Sequence, residues 1–448
     1  MRSFERNMTE GSVAGHLLKF CWPFLLSNLL QAMYNISDTL IVSWFAGAGT
    51  VSGVANGGQV TMMFTNFAIG FTVGGTVLIG QYFGAGKREE LSRTIGTMFS
   101  VLAIMSVVMS AVTIIFCDQI LDFIKIPPEA FGEAKAYIII CMAGTIFVLG
   151  YNAVAAILRG MGDSKNPLYF VLISGIINVL LDLLFVGVFR WGAAGAAAAT
   201  VIAQATALIL AIMYLNKKGF VFEFKPGNFR IDKEKMKKLV NIGLPSSIQK
   251  LVIGVSFLAM TVVANQFGVE ASAAMGIMSK FNGFAMLPAI AMSSSVSSIV
   301  AQNLGAGYID RAKKTMRMGI LLTLPISILF ASIVFFMPEM VIRMFSSDPA
   351  VIAKGVEYMR FIGIDYLVIA VVFCINGLLM GSGVTKFIMF NSIFSSIILR
   401  TPLAHLFGIV FGMGLAGVGL TAPIASFGGC VVSFIYYKTG LWSKKKLI

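Results

Sequence analysis

"GQYFGAGKREELSRT", residues 80–94, returns as "AQNLGAGYIDRAKKT", residues 301–315, an offset of 221. "ILRGMGDSK" (157–165) and "LLMGSGVTK" (378–386) repeat at the same 221. Pro23 and Pro245 lie 222 apart, as do "WGAAG" (191–195) and "MGLAG" (413–417). Four matches within one residue of a single spacing describe a chain built twice.

What is duplicated is apolar. The 448 residues are 57% hydrophobic and 12% charged, with a mean hydropathy of +0.87, where a soluble domain is about a quarter charged. The apolar residues fall in twelve blocks: 17–44, 52–79, 95–117, 131–158, 168–189, 193–215, 240–264, 271–300, 316–337, 352–380, 387–411 and 415–437. Each is long enough to cross a hydrocarbon core of ~30 Å as a helix. The ten-residue alternating segments of a membrane β-barrel are not the pattern here. The expected fold is therefore an all-α polytopic membrane protein, with twelve transmembrane helices in two pseudo-symmetric six-helix lobes. The N-lobe is expected over 1–215, a polar and basic linker over 216–238, and the C-lobe over 239–448. An even number of spans per half keeps the two repeats parallel, an arrangement that suits a transporter with its substrate site between the lobes.

The net charge of +14 raises nucleic acid as a partner, and its distribution argues against one. Twenty-five of the 34 basic residues, from Arg2 through Lys217–Lys238 to Lys446, fall on one side of the predicted membrane, and six on the other: Lys125, Lys135, Arg190, Arg343, Lys354 and Arg360. This is the positive-inside pattern. It predicts an inner-membrane protein with both termini in the cytoplasm and no nucleic-acid partner. The five cysteines are scattered and form no C-x-x-C, so neither a disulfide framework nor a metal site is expected.

The glycine turn invites a nucleotide reading that fails. In "GAGK" (84–87) the lysine is followed by Arg88 rather than Ser or Thr, and the second copy carries Tyr308 in its place. A tight turn into the third span explains the small residues. Neither H-E-x-x-H nor G-x-S-x-G occurs. No enzyme and no cofactor are expected.

Charge inside a span is the informative anomaly. Asn28, Gln31, Asn35 and Asp38 follow i, i+3, i+7, i+10 and fall on one face of the first span. A carboxylate at a helix centre costs ~2.5–3.5 kcal/mol on insertion scales, so such a stripe faces protein or a wet cavity. Ser174, Asn178 and Asp182 repeat the device in span 5. Asp38, Asp182 and Thr200 each lie seven residues from the outer end of their predicted spans, with Tyr137 at a similar level. Two carboxylates, an amide and two hydroxyls are thus expected to converge in the first lobe. Such oxygen ligands suit a hard cation such as Na⁺, at Asp182, Asn178 and Thr200, and no other metal. A proton is the equal alternative, because burial and a like-charged neighbour both favour a neutral carboxyl.

The second half lacks this set. At the repeat offset Asp38 becomes Met260, Gln31 becomes Ile253, Asn178 becomes Arg400 and Asp182 becomes Ala404. Its own intramembrane charges are Lys250, Lys280, Asp365 and Arg400. Spans 2 and 8 are unusually polar and are expected to line a central cleft. The residues expected at a substrate are Asn35, Asn66, Met278, Lys280, Asn282, Asp365 and Arg400.

"SDTLIVSWFAG" in span 1, "GQYFGAGKREE" after span 2, "RGMGDSKNP" after span 4, "INVLLDLLFV" in span 5 and "GAAGAAAATVIAQ" in span 6 together resemble the multidrug and toxic compound extrusion (MATE) family. The resemblance runs over nearly the whole chain. It implies a V-shaped pair of lobes and antiport of organic, cationic or amphipathic compounds against inward H⁺ or Na⁺. It also implies a cation site formed by Asp38, Asn178, Asp182 and Thr200, with Tyr137, Asn152 and Gln31 nearby. Some members carry an acidic C-lobe site instead, with a Glu in span 7 and an Asp in span 10. Span 7 here has no acid, and Asp365 lies about a turn from the expected place. The expected partners are a small-molecule substrate and membrane lipids, with the chain a monomer. A flippase for lipid-linked saccharides is the alternative, kept open by the basic residues of the second half.

Overall fold

The computed structural model describes residues 5–217, 219–445 and 447–448. Arg2, Lys218 and Lys446, counted above among the cytoplasmic basic residues, lie outside the described residues. Eleven described helices are long and apolar enough to cross a membrane, and a bent pair makes a twelfth span. In order these are Val13–Phe45, Ala48–Gly84, Arg88–Ile115, the pair Pro128–Ala143 and Thr145–Gly160, Lys165–Val188, Gly192–Lys217, Lys233–Asn265, Val269–Gly305, Ile309–Phe336, Pro349–Gly381, Thr385–Val410 and Gly414–Thr439. We number them spans 1 to 12. Each contains most of one hydropathy run, and there is no strand among the described residues. Short helices Cys117–Phe123 and Pro338–Arg343 lead from span 3 to span 4 and from span 9 to span 10. They begin 221 residues apart, so the repeat extends to connections that hydropathy does not mark.

Two spans are broken. Span 4 bends by 48° at Gly144. Span 8 consists of Val269–Ala285 and Leu287–Gly305, interrupted at Met286 just before Pro288. Proline removes a backbone donor and crowds the preceding turn, which accounts for the second break.

The chain packs as two compact units, and these divide it at different points from the repeat. One holds the chain up to Asn7 and Trp22–Ser247; the other holds Met8–Cys21 and Ile248–Ile448. The division falls within spans 1 and 7, two residues from Pro23 and Pro245. The linker 216–238 and the first turns of span 7 belong to the first unit. There Ser247 donates a hydrogen bond to the Phe67 carbonyl. Gly70 and Gly74 of span 2 form a G-x-x-x-G face against this stretch. A Cβ at Gly70 would stand 2.5 Å from the Ser247 Cα, and one at Gly74 2.9 Å from the Leu239 carbonyl. Backbones this close need small residues, as at other intramembrane helix crossings.

Each unit secures its borrowed segment with its copy of the glycine-turn motif. In the first, Lys235 is 3% exposed, pairs with Glu90 and donates to the Tyr82 hydroxyl at 2.8 Å. In the second, Gln302 Oε1 accepts from the Met8 amide at 3.1 Å. Arg311 donates to the carbonyls of Glu10 and Gly11 at 2.7 and 2.9 Å. Glu90 and Arg311 are 221 residues apart, so one repeat position does the same job with opposite charge.

Candidate functional site

Spans 1, 4, 5 and 6 bring the predicted acids together within the first unit. Asp38 comes from about two turns before the end of span 1. Asp182 closes the regular α-helix Lys165–Asp182, and a π-helical stretch, Leu183–Val188, continues the span. Such wide turns are frequent at functional positions. Thr200 lies in the third turn of span 6, whose alanine-rich start lets neighbouring helices approach. Tyr137 packs with Ile41, Val42, Ala196 and Ala197.

Asp38 is 7% exposed, Asn178 2% and Asp182 0%. Thr200 Oγ1 donates to Asp38 Oδ2 at 3.4 Å. Asp182 and Asn178 stand beside Asp38, and Tyr137 and Cys141 complete the surround. Yet five polar atoms here meet no hydrogen-bond partner: Asp38 Oδ1, both carboxylate oxygens of Asp182, and the amide O and N of Asn178. No described basic residue pairs with either acid. Buried polar groups are satisfied in the great majority of cases, so a cluster of orphans on two adjacent carboxylates is a concentrated exception. Chemically it is a buried cluster of oxygen ligands with two acids and no basic partner, fit to accept a proton or a small hard cation.

The other predicted residues are spread more widely. Asn152 turns its amide back on its own helix, donating to the Val148 carbonyl at 2.8 Å. Gln31 is half-buried, seven residues and so ~10 Å along the axis from Asp38. Asn35 is exposed and Asn66 half-buried, both in the first unit. Met278, Lys280, Asn282, Asp365 and Arg400 belong to the second. Of these, Met278 is fully buried in the apolar core, Lys280 is exposed, and Asn282 accepts a hydrogen bond from the Tyr366 hydroxyl. Tyr34 and Gln204 were not anticipated. They face one another beside Asp38, one turn before Asp38 and one turn after Thr200, a spacing of four that could have found them.

Gly144 positions this site. A Cβ there would meet Val201 Cγ2 at 2.4 Å and Cγ1 at 2.5 Å, and Val201 is the neighbour of Thr200. Gly144→Ala is expected to force spans 4 and 6 apart and destabilise the fold by about 1–3 kcal/mol, the usual range for overpacking. Val201→Ala in the same chain should restore the melting temperature. If it does not, the close approach of these two residues is not what requires glycine.

Twelve spans in two sequence repeats, with an uncompensated acidic cluster inside one of them, are what a membrane transporter presents. The MatE family profile matches residues 23–184 and 245–406, one block in each repeat. The chain is 28% identical over 442 residues to the probable multidrug resistance protein YpnP of Bacillus subtilis, covering 98% of each. It is 26% identical over 445 residues to the probable multidrug resistance protein NorM of Thermotoga maritima, covering 96% of this chain and 94% of that one. Among solved structures, a MOP superfamily transporter from Pyrococcus furiosus, described as having a binding pocket of reverse polarity, superposes with a TM-score of 0.91 at 20% identity over 98% of each chain. The chain belongs to the MatE family. It is a multi-pass inner-membrane transporter and not an enzyme, and several of its relatives are named as multidrug resistance or multidrug export proteins.

Proposed function

We propose that this chain is an antiporter that exports organic compounds, cationic or amphipathic, by alternating access, driven by H⁺ or Na⁺ entering at Asp38, Asp182, Asn178 and Thr200. Both termini then lie in the cytoplasm, the side to which the positive-inside rule assigns most of the basic residues. The carrying observation is the set of five unpartnered atoms on Asp38, Asn178 and Asp182. Two adjacent carboxylates in a low-dielectric interior cannot both stay charged without a cation. A bound cation therefore changes what the surrounding helices can pack against. A cation drives export only so far as it binds one state of the transporter better than the other. A pocket that is uncompensated when empty provides that difference.

The test is uptake of a fluorescent organic cation into inside-out vesicles under an imposed H⁺ or Na⁺ gradient. Wild-type uptake should follow one of the gradients, and Asp38→Asn should abolish it. Equal uptake by Asp38→Asn would end the proposal. Wild-type vesicles that ignore both gradients would move the weight to an anionic or lipid-linked substrate.

A further inference from the structure

The second unit contains a small cavity built on the same plan. Its lining includes Met260, Tyr358, Ile362, Arg400 and Ala422, with Asp365. At offsets of 221 or 222 the first five are the repeat counterparts of Asp38, Tyr137, Cys141, Asn178 and Thr200, all members of the acidic pocket. The cavity measures about 10 Å³, room for about one water. The acid of span 1 has become methionine and the amide of span 5 has become a guanidinium. Asp365 occupies the position of Gly144.

Arg400 keeps this place across an insertion. The repeat offset is 221 at Lys165 and Lys386 and 222 from Trp191 and Met413 onward, so span 11 has gained one residue. Span 5 has a single π stretch, Leu183–Val188; span 11 has two, Phe394–Arg400 and Leu406–Val410. The latter is the counterpart of the stretch in span 5. The former is extra, and a π turn is an α-helix with one residue inserted. Carried in a regular α-helix, the added residue would turn the rest by ~100° and bring Leu399 opposite the cavity; the π turn absorbs it and leaves Arg400 there. The widened turn is secured, since the Ser396 carbonyl accepts from Ser256 Oγ at 2.8 Å and from Thr401 Oγ1 at 3.0 Å.

The guanidinium is held loosely. Its Nη2 donates to Ser426 Oγ at 3.5 Å, and its carbon lies 5.6 Å from the centre of the Phe257 ring. Arg400 Nε has no partner, and neither has Oδ1 of Asp365, which is 1% exposed. We propose that Arg400 is a tethered cation: it fills permanently, in the second unit, the position that an exchangeable cation fills in the first, with Asp365 as its fixed counter-charge. This rests on the cation-site reading of the first unit. Its consequence is that the second unit takes no cation from solution during the cycle, and that only one unit senses the gradient.

The test counts cations bound by the purified full-length chain, by potentiometric titration for H⁺ and ²²Na⁺ binding for Na⁺. Arg400→Asn, which installs the residue of the first repeat, should bind one more cation per chain than wild type. Arg400→Asn with Asp365→Asn should return to the wild-type count, and Arg400→Lys should never leave it. Arg400→Asn alone should melt below wild type and the double variant should recover. An unchanged count in Arg400→Asn, an extra cation that survives Asp365→Asn, or a double variant that fails to recover would each overturn the pairing. Failure of the underlying reading looks different: Asp38→Asn and Asp182→Asn would then leave the wild-type count unaltered, whatever the Arg400 variants do.

Discussion

Asp182→Asn is expected to yield a protein that has lost ion-coupled export and yet unfolds at a higher temperature than wild type. The two effects share one cause. Asp182 is fully buried, with both oxygens unpartnered and a second carboxylate beside it. An isolated buried charge is among the costliest groups a fold can carry. Replacing whole buried ion pairs by neutral side chains of similar volume is neutral or stabilises by about 1–4 kcal/mol, and removing an unpaired buried charge should act in the same direction. The amide keeps the shape and removes the charge that attracts the cation. Coupling free energies are typically about 1–3 kcal/mol, so losing this one should reduce the cation's influence on substrate affinity by roughly 5–150-fold. The checks are thermal unfolding in detergent at alkaline pH and gradient-driven uptake in vesicles. A lower melting temperature together with intact uptake would sink the idea.

The second large effect concerns Lys235, far from the acids in sequence. It is 3% exposed, paired with Glu90, bonded to the Tyr82 hydroxyl and placed 4.6 Å over the Tyr82 ring. Lys235→Met should destabilise the first unit by about 1–3 kcal/mol. That is below the 3–5 typical when a fully buried pair is broken, because Glu90 is about a third exposed and screened by water. Adding Glu90→Gln should recover part of the loss, since the uncompensated partner then disappears. A double variant no more stable than Lys235→Met would show that the lysine acts through the tyrosine alone. Melting temperatures of the three variants decide between these outcomes.

Much of this architecture is legible in the residues. Twelve apolar runs and a repeat of 221 to 222 specify the spans, and the hydrophobic length a membrane demands places their ends within a few residues. The break at Gly144 is not legible, because hydropathy does not fall where a helix merely bends; the one at Met286 had a signal in Pro288, which a hydropathy reading passes over. The division within spans 1 and 7 is invisible for a related reason: each helix runs unbroken through it, and what changes is the packing partner. At the site, depth along the spans singled out Asp38, Asp182, Thr200 and Tyr137, and helical spacing added Asn178. Asn152 entered through family resemblance and Gln31 through the polar stripe of span 1 as well as the resemblance, and neither is among the groups seen around the carboxylates. Tyr34 and Gln204 escaped because an aromatic and an amide on an apolar helix look like ordinary packing. The shift from 221 to 222 was readable, but only the backbone shows that the added residue lies within Phe394–Arg400.

The exchanged segments bear on how such a chain is made and where it came from. Met8–Cys21 is synthesised well before its partners Gln302 and Arg311, which follow nearly three hundred residues later. The first unit likewise stays unfinished until Ser247 has been added. A break anywhere in 216–238 would give two fragments, each holding a strip of the other's structure, which complete themselves only by associating. A single-repeat ancestor would have faced the same demand from two identical copies. One polypeptide carrying both copies meets that demand within itself, and the copies differ where one has Asp38 and Asn178 and the other Met260 and Arg400.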